Sequence, residues 1–350
     1  MKKQFLILLF FAALAIQLQS QTAIVIQNGS KTYMSNRMDN IKVNIDHGDT
    51  IYLPGGIINL YGNWIIDKEV HIFGVGFFPD SSLATGITNI PNYHIYFVKG
   101  SSNSSIEGIY TANTINIGYN SSTMADSVDN ITIKRCRINQ ITLGYSTYSQ
   151  AANINILHSI INTIDFRNAI FVNIEKNIIN GRITNINGNV LLKNNIFFWN
   201  DDVGYSQPPL TSNVQNVLFK NNIFLDNESP GTNYCTFSNN IFAHSTPSAG
   251  TNLFDATNIF VNNVDSIKFV SYDNITLKDY TFMDDIHLQP TSPAKNIGDD
   301  GTDAGIYGTA IPVKEGWVPI TPHVQLFNIA PNSINGKLPV EVKVKAQSSY

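Results

Sequence analysis

From Ile131 onward one arrangement of apolar and polar positions recurs. With Cys136, Ser159, Asn177, Asn195, Asn222 and Asn240 as register zero, the spacings are 23, 18, 18, 27 and 18 residues. Five positions earlier stand Ile131, Ile154, Val172, Val190, Val217 and Cys235; three earlier stand Ile133, Ile156, Ile174, Leu192, Phe219 and Phe237. Both columns are apolar, and the one between them (Thr132, Asn155, Asn173, Leu191, Leu218, Thr236) is mostly polar. Period-two alternation of this kind predicts a half-buried strand. After a two-residue corner, Ile160, Ile178, Ile196, Ile223 and Ile241 precede Ile161, Ile179, Phe197, Phe224 and Phe242, which predicts a second strand with the phenylalanines inward. A third follows in "INIG", "ITLG", "TIDF" and "RITN", with Asn116, Thr142, Asp165 and Thr184 facing out.

A unit near 18 residues with two longer members marks a solenoid whose insertions leave at one corner. Three short strands per coil, each stacking about 4.8 Å along the axis, predict an all-β, three-sheet parallel β-helix, wound right-handed like other parallel crossovers. The Leu-x-x-Leu-x-Leu spacing of leucine-rich repeats is absent, as are the Thr-x-Thr rows of ice-binding β-helices. Asn suits the corner because it tolerates the left-handed backbone. Stacked copies predict an internal amide ladder.

Two flanking motifs sharpen this. "HGDTIYLPGG" (47–56) with "KEVHIFGVGF" (68–77), and "LQPTSPAKNIGDDGTDAGIYG" (288–308), resemble the opening and closing signatures of right-handed parallel β-helix proteins of the pectate-lyase-like superfamily, secreted bacterial type. The β-helix domain is expected over 21–310, and because an open sheet edge needs a cover, "MDNIKVNID" (38–46) is expected in an N-terminal cap. Residues 311–350, punctuated by prolines, carry the alternating stretches "HVQLFNI" and "VEVKVKA" and predict a short C-terminal β module or cap, with a linker toward the cell surface as the equal alternative. Asn296 and Ala304 depart from the family pattern without threatening the fold.

Residues 1–20 predict a secretory signal peptide: Lys2 and Lys3 precede an apolar run that is shorter than the roughly 20 residues spanning a bilayer. No later segment is apolar enough to span one. The expected location is therefore extracellular, outer-surface or periplasmic. Only 14% of residues are charged while 44 are Asn, so amides carry the solvation. A net charge of −4 without a basic stripe gives no support to a nucleic-acid partner. Cys136 and Cys235 fall about five coils apart, over roughly 20 Å, and predict no disulfide.

Candidate chemistry sits where the repeat is interrupted. Adjacent Asp201 and Asp202 on the longest insertion, with Asp226 and Glu228 on the next, offer the paired carboxylates that glycoside hydrolysis needs, although acidic loop residues are usually only solubilising. Lyases of the resembled family use bound calcium and an Arg or Lys base. Asp165 with Arg167 is the nearest match, against the plainer reading of a solvated salt bridge. Trp199, Tyr205, Tyr234 and His244 are candidate sugar-contacting residues. Asp299, Asp300 and Asp303 in "GDDGTDAG" look superficially like a Ca2+ loop but lack EF-hand spacing.

The expectation is a secreted β-helix without conventional catalysis, associated with the cell surface or extracellular polysaccharide and binding a glycan on its insertion side. Ca2+ stays open as a cofactor, and oligomeric state is not indicated. The alternatives are a polysaccharide lyase or glycoside hydrolase acting on an acidic polysaccharide, and a purely structural surface protein.

Overall fold

The structure, a computed structural model, describes residues 23–81, 85–118, 126–145, 149–198, 210–211, 213–225, 231–243, 250–272, 280–318 and 323–329, with 332, 335–337 and 339–345 near the C-terminus. The signal-peptide region lies outside them.

Two long ladders of predominantly parallel strands, one of 14 and one of 13 strands, wind the chain into a right-handed parallel β-helix. The expected columns pair in register: Val172 with Val190, Val190 with Val217, and Phe219 with Phe237. The third-strand row is equally aligned, Asn116 against Thr142, Thr142 against Asp165, and Asp165 against Thr184. Hydrogen bonding runs through two of the bends, so second and third strands join in single elements such as Ile160–Phe166 and Ile178–Thr184.

Inside the coil the apolar columns are sealed, with Ile154, Ile156, Ile174, Leu192 and Phe219 fully buried. Toward the C-terminal half the aliphatic columns become aromatic. Phe197, Phe224 and Phe242 stack face to face at 4.6 and 4.7 Å, and Phe219, Phe237 and Phe254 at 4.6 and 4.5 Å. Parallel stacks of this kind add to area burial. The helix Met38–Lys42 buries Met38 and Ile41 at the N-terminal end, where the antiparallel strands Ile24–Asn28 and Lys31–Ser35 finish the sheet and protect its edge.

The Asn-Asn pair divides its labour in a way the sequence reading did not anticipate. The left-handed residue is the one before register zero (Arg135, His158, Lys176, Asn194, Asn221, Asn239), with φ between 49° and 57°. The zero residue points inward and makes the ladder. Asn177, Asn195, Asn222 and Asn240 each accept a backbone N–H from the coil before at 2.8–2.9 Å. Their side-chain amides donate to Ile156, Ile174, Leu192 and Phe219 carbonyls and to the next amide oxygen, and the row continues to Asn258. Ser159 and Cys136 occupy its start, Ser159 Oγ accepting from the Cys136 N–H. Both cysteines are buried and unpaired in the columns expected of them.

A second apolar layer lies outside the coil. Ile160, Ile178, Ile196, Ile223 and Ile241 face outward yet are buried, because residues 264–272 and 280–318 fold back over them. This returning strap docks on the outer asparagines. Asn239 donates to the Ile297 carbonyl, Asn221 to Asp299 and Asn194 to the Gly305 carbonyl, and Lys176 reaches the Ile311 carbonyl. Gly305 has φ +81°, and a Cβ there would stand 2.8 Å from Ile223 Cδ1, so a backbone without a side chain is needed. Beyond the strap, His323–Ile329 and Val340–Lys345 form the antiparallel pair read from their alternation.

Candidate functional site

A groove of about 480 Å³ opens at the corner after the third strand, lined by Tyr145, Phe166, Arg167, Asn185, Asn187, Asn213 and Gln215. Left-handed Asn185 and Asn213 make the bends that bring their amides to it. Arg167 Nε donates to Asp165 Oδ2 at 2.8 Å, and its guanidinium lies 4.7 Å over the Tyr145 ring. Asp165 also accepts from Thr184 and Asn185. Burial alone raises the Asp165 carboxyl, but these donors outweigh it and hold the pKa below the usual carboxylate value. The carboxylate therefore stays charged and orients the arginine. The groove combines one amphipathic ring, one fixed cation and four amides, which can hydrogen-bond hydroxyls and stack on a sugar face.

Asp165 and Arg167 thus meet, as a pair at one groove. Tyr234 is described and exposed, one residue beyond the short strand Thr232–Asn233 that pairs with Val214 and the groove-lining Gln215, and it does not line the groove. Trp199, Asp201, Asp202, Tyr205, Asp226, Glu228 and His244 lie outside the described residues. Asp299, Asp300 and Asp303 do not converge. Asp299 is held by Lys193, Lys220 and Asn221, Asp300 by Thr302, and Asp303 by Lys295 and the Asn296 N–H. Burial works against the Asp299 charge, yet its three donors bring its pKa down to about 2. Among the described residues no group of three or more His, Cys, Asp or Glu is placed to hold a metal ion.

A second cleft, about 370 Å³, forms where the strap meets the first coils. Phe78, Tyr280, Phe282, Tyr307 and Trp317 line it together with Asp80, Asp284, Asp285, His287 and Glu315. Phe77 braces it at 5.7 Å from Trp317, and the His287 and Tyr307 rings stack at 3.8 Å. Burial, with a smaller push from Asp284, moves the Tyr280 phenol up to about 12. Sequence reasoning missed this cleft because its two halves lie some 200 residues apart in the chain. One signal was present: Arg137 stands where the other coils carry the outward isoleucine, and its guanidinium lies 4.9 Å over Phe282.

No family model matches the chain, and no curated protein matches it. Among solved structures, it is similar to a double mutant of the tailspike protein of the E. coli bacteriophage HK620, at 15% identity over 64% of this chain and 51% of that one, with a TM-score of 0.24. The chain thus spans about half the length of that tailspike chain.

Proposed function

We propose that this is a secreted, pectate-lyase-like β-helix that binds a glycan without conventional catalysis, at the cell surface or on extracellular polysaccharide. The observation that carries the reading is the groove of Tyr145, Arg167, Asn185, Asn187, Asn213 and Gln215, whose donors and ring suit hydroxyl-rich ligands. Its carboxylate, Asp165, is already engaged by three donors, and acid–base cleavage of a glycoside needs a pair. Among the described residues no helix is long and apolar enough to cross a membrane.

Retention of the purified protein on immobilised neutral and uronate polysaccharides tests this. Retention that falls about tenfold in Tyr145→Ala, as truncating an aromatic anchor typically does, supports the groove. A protein retained by no polysaccharide overturns the reading. The strap cleft favours a second reading, glycoside hydrolysis, because it gathers four carboxylates beside aromatic rings. New reducing ends on incubation, lost in Glu315→Gln, are the outcome that reading requires.

A further inference from the structure

The column six positions before register zero reads Asn130, Asn153, Phe171, Asn189, Asn216 and Tyr234, and all six hold positive φ, between 25° and 58°. Asn is at home in this backbone conformation, whereas bulky side chains are strained by it. At the other left-handed column, two of the three departures from Asn have a strong structural partner. Arg135 pairs with buried Glu107, and Lys176 holds the strap. Phe171 and Tyr234 differ, being 54% and 63% exposed, and neither ring stacks on another described aromatic. Strained residues persist where something other than stability keeps them.

The two rings share one corner and one outward direction. The flanking pairs Val172–Val190, Val190–Val217 and Gln215–Asn233 place Asn189 and Asn216 on the rungs between them, with a one-residue register shift between Asn187 and Val190, so the rings stand three rungs, about 14 Å, apart along the axis. The outward positions nearest the two rings are Ile170, Phe171, Asn173, Gly188, Asn189, Leu191, Gln215, Asn216, Leu218, Asn233, Tyr234 and Thr236, none of them charged. Charge on these strands begins two residues further along, at Glu175, Lys193 and Lys220, where both lysines are engaged by Asp299 of the strap. The strip adjoins the groove through Asn187 and Gln215.

We infer that Phe171 and Tyr234 are stacking platforms for an uncharged linear polysaccharide lying along the helix axis, with Asn189 and Asn216 hydrogen-bonding the sugars between them. This rests on the glycan-binding reading and narrows it to a neutral chain recognised internally. An extended pyranose advances by about one rung, so the strip spans about four consecutive sugars.

The test uses the full mature chain and the variants Phe171→Asn and Tyr234→Asn, singly and together. Cello-, manno- and xylo-oligosaccharides of two to six sugars are the probes, with oligogalacturonates as the charged comparison. The expected result pairs opposite signs. Each variant melts at an unchanged or higher temperature, because Asn relieves the left-handed strain, while affinity for a neutral hexasaccharide falls about tenfold. Wild-type affinity rises with length up to about four sugars, and the double variant loses that rise. Unchanged affinity in both variants overturns the proposal and leaves the groove at Tyr145 as the glycan site. A fall in both melting temperature and affinity assigns the rings a structural role and also overturns it, as does tighter binding of oligogalacturonates. Absence of binding by every probe, with polysaccharide retention also absent, overturns the glycan reading itself.

Discussion

Asn195 shows how much a single side chain carries in this molecule. Its amide accepts from the Asn177 N–H and Nδ2 and donates to the Ile174 carbonyl and Asn222 Oδ1, all in a fully buried corner. Asn195→Ala orphans a donor and an acceptor on neighbouring coils, and orphaned buried groups are costly. A loss of about 3 kcal/mol is expected in denaturant unfolding, well beyond that of an exposed amide such as Asn187. His158 is a residue-scale exception of a different kind. It holds φ 49°, and burial, then Arg135, Lys176 and Lys134, push its pKa down to about 3. A histidine kept neutral in the fold but free to protonate when unfolded contributes stability that is present above about pH 6.5 and is lost as pH falls toward 3. His158→Asn is expected to flatten that part of the stability profile, as followed by thermal melts between pH 7 and pH 4.

At the scale of elements, the strap decides most of what was hidden. Gly305→Ala drives a methyl against Ile223 at a positive φ and is expected to cost about 2 kcal/mol, with the fluorescence of Trp317 reporting the loosened strap. Asp299, with its carboxyl held near 2 against an ordinary value of 3.8, ties the strap to Lys193 and Lys220. Its contribution is complete above about pH 4 and disappears as pH drops through 2, and Asp299→Asn is expected to remove that acid transition. The strands and their columns were legible because alternation and an 18-residue period repeat the same physical demand six times. The strap was not, because it contacts the coil aperiodically through pairs such as Asn239 and Ile297, 58 residues apart. Even the Asn-Asn motif hid which residue turned the corner, since both members carry the same side chain. The groove escaped notice for a related reason. Its amides come from bends on successive coils and form no linear motif, and of its members only Arg167, beside Asp165, stood out from the sequence.

For the whole molecule, the paired ladders and the outer apolar layer produce one thick body from a chain with little charge. Both cysteines are sealed within it. Burial pushes the Cys136 thiol up to about 12 and raises that of Cys235. Neither thiol is expected to react with an aromatic disulfide reagent in the folded protein, and both are expected to react once denaturant unfolds it, since only the thiolate is nucleophilic. The coincidence of thiol exposure with loss of Trp317 fluorescence along one denaturant series would show coil and strap unfolding together.

The strap also alters how the protein responds to force. A bare solenoid touches only its nearest repeats and can fray one coil at a time from an end. Here a single segment runs from Asn239 back past Asn221, Asn194 and Lys176 to Phe77, stitching distant coils like a spine. Tension applied beyond Trp317 is expected to meet these stitches one after another from the Phe77 end. These side-chain contacts are expected to open before the backbone ladder does, which pulling single molecules would record as small force peaks ahead of the main one.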